Sequence, residues 1–314
     1  LDTLQFLEGP VPSAYTFAFE PSIFNTSDYR FLQRKNDWVS LYLADTTLGI
    51  VHAHIHFWMH HGHAQSSIQS PFGGLEFSSE VPPQIIYDFL VWVRTSLEEK
   101  GISKITITHP PRAYESGKID LIETFLCQTG FRIDQEEVST LIPITDQPFQ
   151  ELIHPRKKRK LIQSENSNLR FEELPSGKWN EVFYMIAQHR KKKLYSLSIT
   201  DQRLEETIRL FGDRYPLFGV YHQQELVAAS ITVVVNRHIL YHFLSDHVRK
   251  VGEASPALIL MKGIYDYGYR HDFKWLDLGT STLDGAPNLA LLKFKTEIGG
   301  RTTSKRIFTW DTYE

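Results

Sequence analysis

Apolar and polar positions along the chain alternate with two periods, and the switches between them outline the elements. Trp38 to Leu43 and Gly49 to Met59 alternate or run apolar around Asp45-Thr46-Thr47, which predicts a β-hairpin. After Pro82-Pro83, the apolar positions Ile85, Ile86, Phe89, Leu90, Val93 and Leu97 follow helical spacing until Gly101. Ile102 to Thr108 reads as a β-branched strand, Ile119 to Cys127 as a helix stopped by Gly130, and Phe131 to Ile144 as extended chain. Strand pair, helix, strand, helix, strand is an α/β order.

The basic run His154 to Lys160 has little apolar content and reads as a junction, so the expected domains are 1–150 and 155–314. A second, fuller copy of the order follows. Leu169 to Leu174 is a strand, and Trp179 to Lys191 and Asp201 to Phe211 are helices separated only by a short stretch that includes Leu194 to Thr200. Tyr215 to Tyr221, Glu225 to Val235 and His238 to Ser245 form a three-stranded meander, with turns at Gln223-Gln224 and Asn236-Arg237. Pro256 to Tyr269 is a helix, Lys274 to Leu278 a strand, Leu289 to Glu297 a helix, and Arg306 to Trp310 a closing strand.

Length agrees with this division, since 314 residues suit two domains of about 150 each. With 41% apolar and 23% charged residues the chain can build two cores and is not of a disordered class. No stretch approaches the apolar length of a membrane span, and no basic start with an apolar stretch opens the sequence, so neither membrane insertion nor a signal peptide is expected. One cysteine, Cys127, excludes an internal disulfide and suits a reducing compartment, with the cytoplasm as the expected location. Its neighbours Ile122, Phe125 and Leu126 predict a core position for it rather than a nucleophile's.

Charge is unevenly divided. Residues 1–150 hold 9 Lys/Arg against 18 Asp/Glu, a net −9, and residues 151–314 hold 25 against 19, a net +6. The excess lies between His154 and Lys193, in the clusters Arg156 to Lys160 and Arg190 to Lys193. A solvated helix face accounts for them; an anionic ligand for the second half is the sharper reading. Six histidines fall between His52 and His63. His52, His54 and His56 share one face of a strand, and an exposed or interdomain face is expected there rather than a metal site, because no Cys or carboxylate joins them at useful spacing. Tyr265, Tyr267 and Tyr269 read mainly as packing.

The last meander strand runs into Arg249-Lys250-Val251-Gly252-Glu253-Ala254-Ser255, where a helix begins. Small residues there let backbone N–H groups at a helix start approach an anion. A structural turn with Ser255 as N-cap and Pro256 behind it uses the same residues. The pattern Arg249-x-x-Gly252-x-Ala254 resembles the pyrophosphate-binding turn of GNAT enzymes, and the element order resembles their fold. The resemblance implies an α/β protein of two tandem GNAT (acyl-CoA N-acyltransferase) domains, with mixed central sheets and helices on both faces.

Trp275 to Ser281, Asn288 to Leu292 and Phe294-Lys295-x-x-Ile298-Gly299-Gly300-Arg301 narrow the resemblance to the FemABX-like branch of bacterial cell-envelope aminoacyltransferases and N-acyltransferases; Ser70 to Gly74 is similar to a first-domain patch of bacterial members. The resemblance implies a donor, acetyl-CoA or another acyl-CoA, held by Leu244, Ser245, Asp246, Val248, Arg249, Val251, Gly252, Ala254 and Ser255. It implies no donor site in the first domain, which lacks such a turn. Lys295 matches the lysine implicated at the reacting carbonyl, although the stripe Leu291, Leu292, Phe294 and Ile298 would leave Lys293 and Lys295 outward. His242 and Asp277 are the candidate bases; Tyr241, Ser281 and Asn288 are candidates for contact with a primary-amine acceptor. No metal is implied. Aminoacyl-tRNA is the alternative donor, disfavoured by the missing helical arm between the second domain's first two helices. A GNAT-fold binding module without chemistry is the remaining reading.

Overall fold

In a computed structural model of the protein, residues 3–33, 35–249, 251–283 and 286–312 are described. The chain forms two compact units, one running to Glu137 and resumed from Thr303, the other Val138–Thr302.

In the first unit, strands Trp38–Asp45 and Ile50–His60 form the expected antiparallel hairpin, and Leu4–Glu8 pairs along its outer side. Asp45 closes the hairpin turn by accepting the N–H groups of Thr47 and Leu48, both at 2.9 Å. The sheet continues through His63–Gln65, parallel to Lys104–Thr108, which pairs antiparallel with the end of Arg301–Asp311. Helix α1 (Ser27–Leu32) starts at Thr26, whose hydroxyl accepts the Tyr29 N–H. Helix α2 (Pro83–Glu99) buries Ile86, Phe89, Leu90, Val93 and Leu97 against Leu41, Leu43, Ile55 and Phe57, the stripe its spacing predicts. Helix α3 (Ser116–Gln128) adds Ile122 and Leu126 to that core. Cys127 lies one position past this stripe, about 100° around the helix, and is exposed rather than in the core.

In the second unit, helices α4 (Phe149–Leu152) and α5 (Pro155–Glu165) occupy the expected junction. The basic run is therefore helical: His154 Nδ1 accepts the Arg156 N–H at 3.2 Å, Pro155 opens the first turn, and Leu161 and Ser164 face inward. The division falls at Glu137–Val138, inside the continuous strand Arg132–Pro143, not at 150–155, and the chain from Thr303 returns to the first unit. Apolar pattern could not locate it, because the strand does not break where the contacts do.

Helices α6 (Trp179–Lys192) and α7 (Asp201–Phe211) precede the antiparallel meander Leu217–His222, Glu225–Asn236 and Ile239–His247, with Leu169–Leu174 pairing outside Leu217–His222. Helix α8 (Pro256–Arg270) follows, then strand Trp275–Thr280 and helix α9 (Leu289–Glu297). Successive side chains of a strand serve opposite faces. Phe218 and Val220 accordingly join the α8 core with Leu258, Ile264 and Tyr265, while the Tyr221 hydroxyl donates to Glu181 of α6 at 2.9 Å. Tyr265 is fully packed, and its hydroxyl donates to the Gln147 carbonyl at 2.8 Å.

Candidate active site

Two neighbouring strands of the second unit part company. Ile239–His247 and Trp275–Thr280 run parallel, but their ladder holds only at Ile239 with Trp275, Leu240 with Leu276 and Tyr241 with Asp277. On its other side the first strand stays paired with Glu225–Asn236, with a bulge at Phe243: Leu244 opposes Ile231 and His242 opposes Thr232. A bulge bends and twists the strand that carries it. From His242 onward its backbone thus diverges from Trp275–Thr280, leaving an opened edge between the two strands.

The partner strand bends as well. The Asp277 carboxylate accepts the Gly279 N–H at 2.7 Å, and Gly279 takes φ +72°, a conformation a side chain disfavours. The turn presents two carbonyls to one cation: Lys295 Nζ donates to Gly279 O at 2.9 Å and to Thr280 O at 2.7 Å. An ammonium has three donors, so one N–H of Lys295 has no hydrogen-bond partner among the described residues. Lys295 is only 6% exposed. Burial lowers its pKa to about 8, opposed by the Asp277 carboxylate.

Lys295 corrects the expectation of an outward lysine. The buried line of α9 passes through Lys295 and Ile298, three residues apart, while Leu291 and Lys293 are not part of it. The lysine stem substitutes for an apolar side chain, and the head finds carbonyls at its end.

His242, a candidate base, is likewise shaped by burial. The ring is half-buried as a whole, but its Nε2 is sealed from solvent and has no hydrogen-bond partner among the described residues. Burial lowers its pKa to about 4, assisted by the positive charges of Lys295, Arg190 and His247. It is a neutral acceptor at pH 7 rather than a group titrating near 6.5. Asp277, 3% exposed, anchors the Gly279 loop as an alternative to the base role.

Of the remaining expected contacts, Asn288 is the N-cap of α9: its side-chain oxygen accepts the Leu291 N–H at 3.0 Å, and its own N–H donates to Ser281 O at 2.8 Å. Ser281 is buried with its hydroxyl unpartnered among the described residues. Two further buried hydroxyls in the same condition, Ser139 and Thr140, lie on the strand that pairs with Trp275–Thr280, with Ser139 opposite Thr280. Tyr241 stands at the last rung before the split.

The donor-turn residues fare unequally. Leu244 is buried, Ser245 half-buried, and the Val248 N–H donates to Val227 O at 2.9 Å. Asp246 is not free for a ligand: it accepts Lys193 Nζ and the His247 N–H, both at 2.6 Å. Val251 and Ala254 close the turn on each other, N–H to carbonyl in both directions at 3.3 and 2.9 Å. The Ser255 N–H donates to Ser164 Oγ at 2.8 Å, and Ser255 makes no side-chain cap. Three of the N–H groups expected to meet a pyrophosphate are therefore engaged within the chain, two by the turn itself and one by Ser164 of α5, a helix absent from the expected order. Gly252, at φ +55°, and Glu253 have N–H groups without a partner among the described residues, and the Glu253 carboxylate is turned to Lys160 at 3.5 Å. Arg249 is exposed, and its neighbour Lys250 lies outside the described residues.

Sequence pattern also missed Arg190, on the last turn of α6. Burial lowers its pKa, against the raising effect of Asp246 and Tyr241, so this guanidinium stands by the same strand as His242. Its place in a basic run hid the distinction between it and its solvated neighbours. On α5, Lys157 pairs with Glu297 at 3.4 Å, whereas Arg156, Lys158 and Arg159 have no ion-pair partner among the described residues. Among those residues no group of three or more His, Cys, Asp or Glu side chains could hold a metal ion, and no helix is long and apolar enough to cross a membrane.

The sequence matches no protein-family model and no curated protein. Its fold has clear counterparts. The crystal structure of FemX superposes with a TM-score of 0.69 at 10% identity, covering 92% of each chain. L-PGS from Bacillus licheniformis gives 0.56 at 12% identity over 94% of each chain. A tandem GNAT protein from the clavulanic acid biosynthesis pathway gives 0.50 at 11% identity, covering 88% of this chain and 84% of that one. The expected fold is present: a mixed α/β chain of the GNAT-like type, shared with a Fem protein and with tandem GNAT proteins.

Proposed function

We propose that the protein is an N-acyltransferase that moves an acyl group, acetyl in the simplest case, from acyl-CoA to a primary amine of a small or cell-envelope-related acceptor. The observation that carries this reading is the third N–H of Lys295, a buried cation beside an opened strand edge. The edge from His242 to Val248 suits the amide-bearing arm of the donor, whose carbonyl then lies toward Lys295. As the amine attacks, the carbonyl oxygen gains charge, and a hydrogen-bond donor already oriented in a buried site stabilises it. Neutral His242, with Nε2 unpartnered, accepts a proton from the amine nitrogen once attack has made that nitrogen acidic. Asp277 keeps the Gly279 loop, and with it Lys295, in place. The exposed Arg249 remains for the donor's phosphates, whereas the turn Val251–Ala254 is closed on itself.

The closed Val251–Ala254 turn and the α5 cations Arg156, Lys158 and Arg159, without ion-pair partners among the described residues, favour a second reading, a donor carried on a polyanion such as aminoacyl-tRNA. Thermal unfolding with acetyl-CoA, longer acyl-CoAs and aminoacyl-tRNA tests both. A donor at about 100 times its Kd stabilises the fold by roughly 2.7 kcal/mol. Stabilisation by an acyl-CoA together with labelled-acyl transfer to an amine is the expected result. Stabilisation by aminoacyl-tRNA alone replaces the first reading with the second, and binding of neither leaves a module without chemistry.

A further inference from the structure

The first unit contains a chain of four hydrogen-bonded side chains that the chemistry above does not use. Trp38–Asp45 and Ile50–His60 pair so that Trp38 opposes Trp58, Ser40 opposes His56 and Tyr42 opposes His54. Opposed residues share one face of a sheet, so imidazoles and aromatic rings are grouped there. Glu76 accepts the Ser22 N–H at 3.1 and 3.2 Å on its two oxygens and lies 2.8 Å from His54 Nε2. His54 Nδ1 is 3.1 Å from His56 Nε2, and His56 Nδ1 is 2.9 Å from Ser40 Oγ. His54 and His56 are buried, which corrects the expectation of an exposed histidine face. The segment around Phe17 and Phe19 covers them, with both rings edge-on to His54 at 5.2 and 5.4 Å.

The carboxylate fixes the direction of the chain, because it can only accept. His54 Nε2–H then donates to Glu76, His56 Nε2–H donates to His54 Nδ1, and the Ser40 hydroxyl donates to His56 Nδ1. All four ring nitrogens are used, and of the two half-buried ends, Glu76 and Ser40, the hydroxyl is the nucleophilic one. Burial, with the charge of Arg30 and the neighbouring His54, holds His56 well below the usual imidazole range, so it remains a neutral acceptor. Two residues from Ser40, on the same strand face, Trp38 has a buried indole N–H with no partner among the described residues.

From this geometry we infer that Ser40 is the nucleophile of a second reactive site, one that takes the acyl group of carboxylic esters or thioesters with an apolar or aromatic substituent. Ser40 Oγ bonds to the carbonyl carbon while its proton passes to His56 Nδ1, and the Trp38 indole N–H meets the developing oxyanion. Collapse breaks the bond from the carbonyl carbon to the leaving sulfur or oxygen, and His56 returns the proton to that leaving group. Water then repeats the sequence on the acyl-serine, releasing the carboxylic acid and restoring Ser40. Ser40 and His56 are the reacting groups; His54 and Glu76 position and polarise His56. The apolar preference follows from the tryptophans on either strand beside the hydroxyl.

A fluorophosphonate probe applied to the full chain, with the modified peptide identified by mass spectrometry, tests the assignment. Native protein is expected to carry one adduct, on Ser40; the urea-unfolded chain and Ser40→Ala carry none there. His56→Gln is expected to lower the labelling rate by at least about 100-fold, the size of a general-base contribution. Should that variant not fold, the wild-type and Glu76→Gln proteins are compared by the pH dependence of labelling, which shifts if Glu76 acts through the histidines. A burst of one nitrophenolate per chain from p-nitrophenyl acetate, lost in Ser40→Ala, supports the same conclusion. Labelling of Ser40 no faster than in the unfolded chain overturns it. So does a rate and pH profile unchanged in the folded His56→Gln or Glu76→Gln protein, which would make the network a staple for the covering segment.

Discussion

The two units each bury a polar centre, and the centres differ in how far the protein itself satisfies them. Around Glu76, His54 and His56 every ring nitrogen has a protein partner, and the relay ends in two half-buried side chains, Ser40 and Glu76. In the second unit, one N–H of Lys295, the Nε2 of His242 and the hydroxyls of Ser139, Thr140 and Ser281 are left without partners among the described residues. Each unmet buried group costs about 1–3 kcal/mol. A fold tolerates that concentration where something from outside completes the bonds; at the first centre the unmet groups, the Ser22 hydroxyl and the Trp38 indole N–H, lie beside the relay and not along it. The contrast favours the second unit for the proposed acyl transfer and gives the first a relay whose histidines are fully bonded between Glu76 and Ser40.

The largest expected effect breaks this contrast at its sharpest point. Lys295→Met keeps an unbranched stem along the buried line of α9 and removes the cation, so the fold should persist. Transfer should fall by about 10²–10³-fold in kcat, the usual loss on removing one oxyanion donor. If kcat/KM stays at the wild-type value in a folded Lys295→Met protein, the unused N–H has no part in the reaction.

The pH profile follows from the same group. The protonated form of Lys295 is the active one, and its pKa is lowered to about 8 by burial. Activity limited by this cation therefore declines as pH rises through about 8, not near 10.5, where a solvated lysine titrates. His242, lowered to about 4, adds no limb near 6.5. Profiles of kcat/KM between pH 4 and 10 check both statements, and an acid limb centred on 6.5 would assign the base to another residue.

His109 in the first unit departs from the contrast, since neither ring nitrogen has a partner among the described residues and the residue is fully buried. Burial lowers its pKa to about 4. Below 6.5 the unfolded chain takes up a proton that the folded chain refuses, so stability falls as pH drops from about 6.5 to 4 and is unaffected above. The interval of about 2.5 units corresponds to roughly 3 kcal/mol. His109→Leu should remove most of this acid sensitivity in urea titrations at pH 7 and pH 4.5. An unchanged difference between the two pH values would show that the imidazole finds partners, and that the first unit is satisfied there too.

Much of the frame was legible before the structure. Leu169–Leu174, Asp201–Phe211 and Leu289–Glu297 are bounded where apolar spacing and capping residues place them. Helix α5 escaped because only Leu161 and Ser164 turn inward, too thin a stripe for periodicity to register. The split beyond Tyr241 and the bulge at Phe243 depend on which strands lie side by side, a property no local pattern contains. Lys295 was named from its motif, but its burial contradicts the rule that a lysine faces water; a long apolar stem with two carbonyls at its end overrides that rule. Arg190 and Ser139 gave no signal, one hidden in a run of like charges and the other an ordinary strand serine.

The smallest effect concerns the turn that suggested a donor site at the outset. Gly252 sits at φ +55°, and a Cβ built there meets nothing within 4 Å. Substitution is therefore opposed by backbone conformation and not by crowding. Gly252→Ala should cost about 1 kcal/mol, and Gly252→Asn less, since asparagine tolerates the left-handed region. In a chain of this size that is a fall of a few degrees in Tm for the alanine variant. Affinity for acyl-CoA should change by less than about threefold in both, because Val251 and Ala254 already hold each other and Ser255 is held by Ser164. The strand edge beyond His242 then carries the donor, and the turn merely starts α8. A tenfold or greater loss of affinity in Gly252→Asn, with its stability kept, would reverse that assignment: the backbone of Gly252 and Glu253 would lie against the ligand, and the turn would have to open its Val251–Ala254 pair when the donor binds.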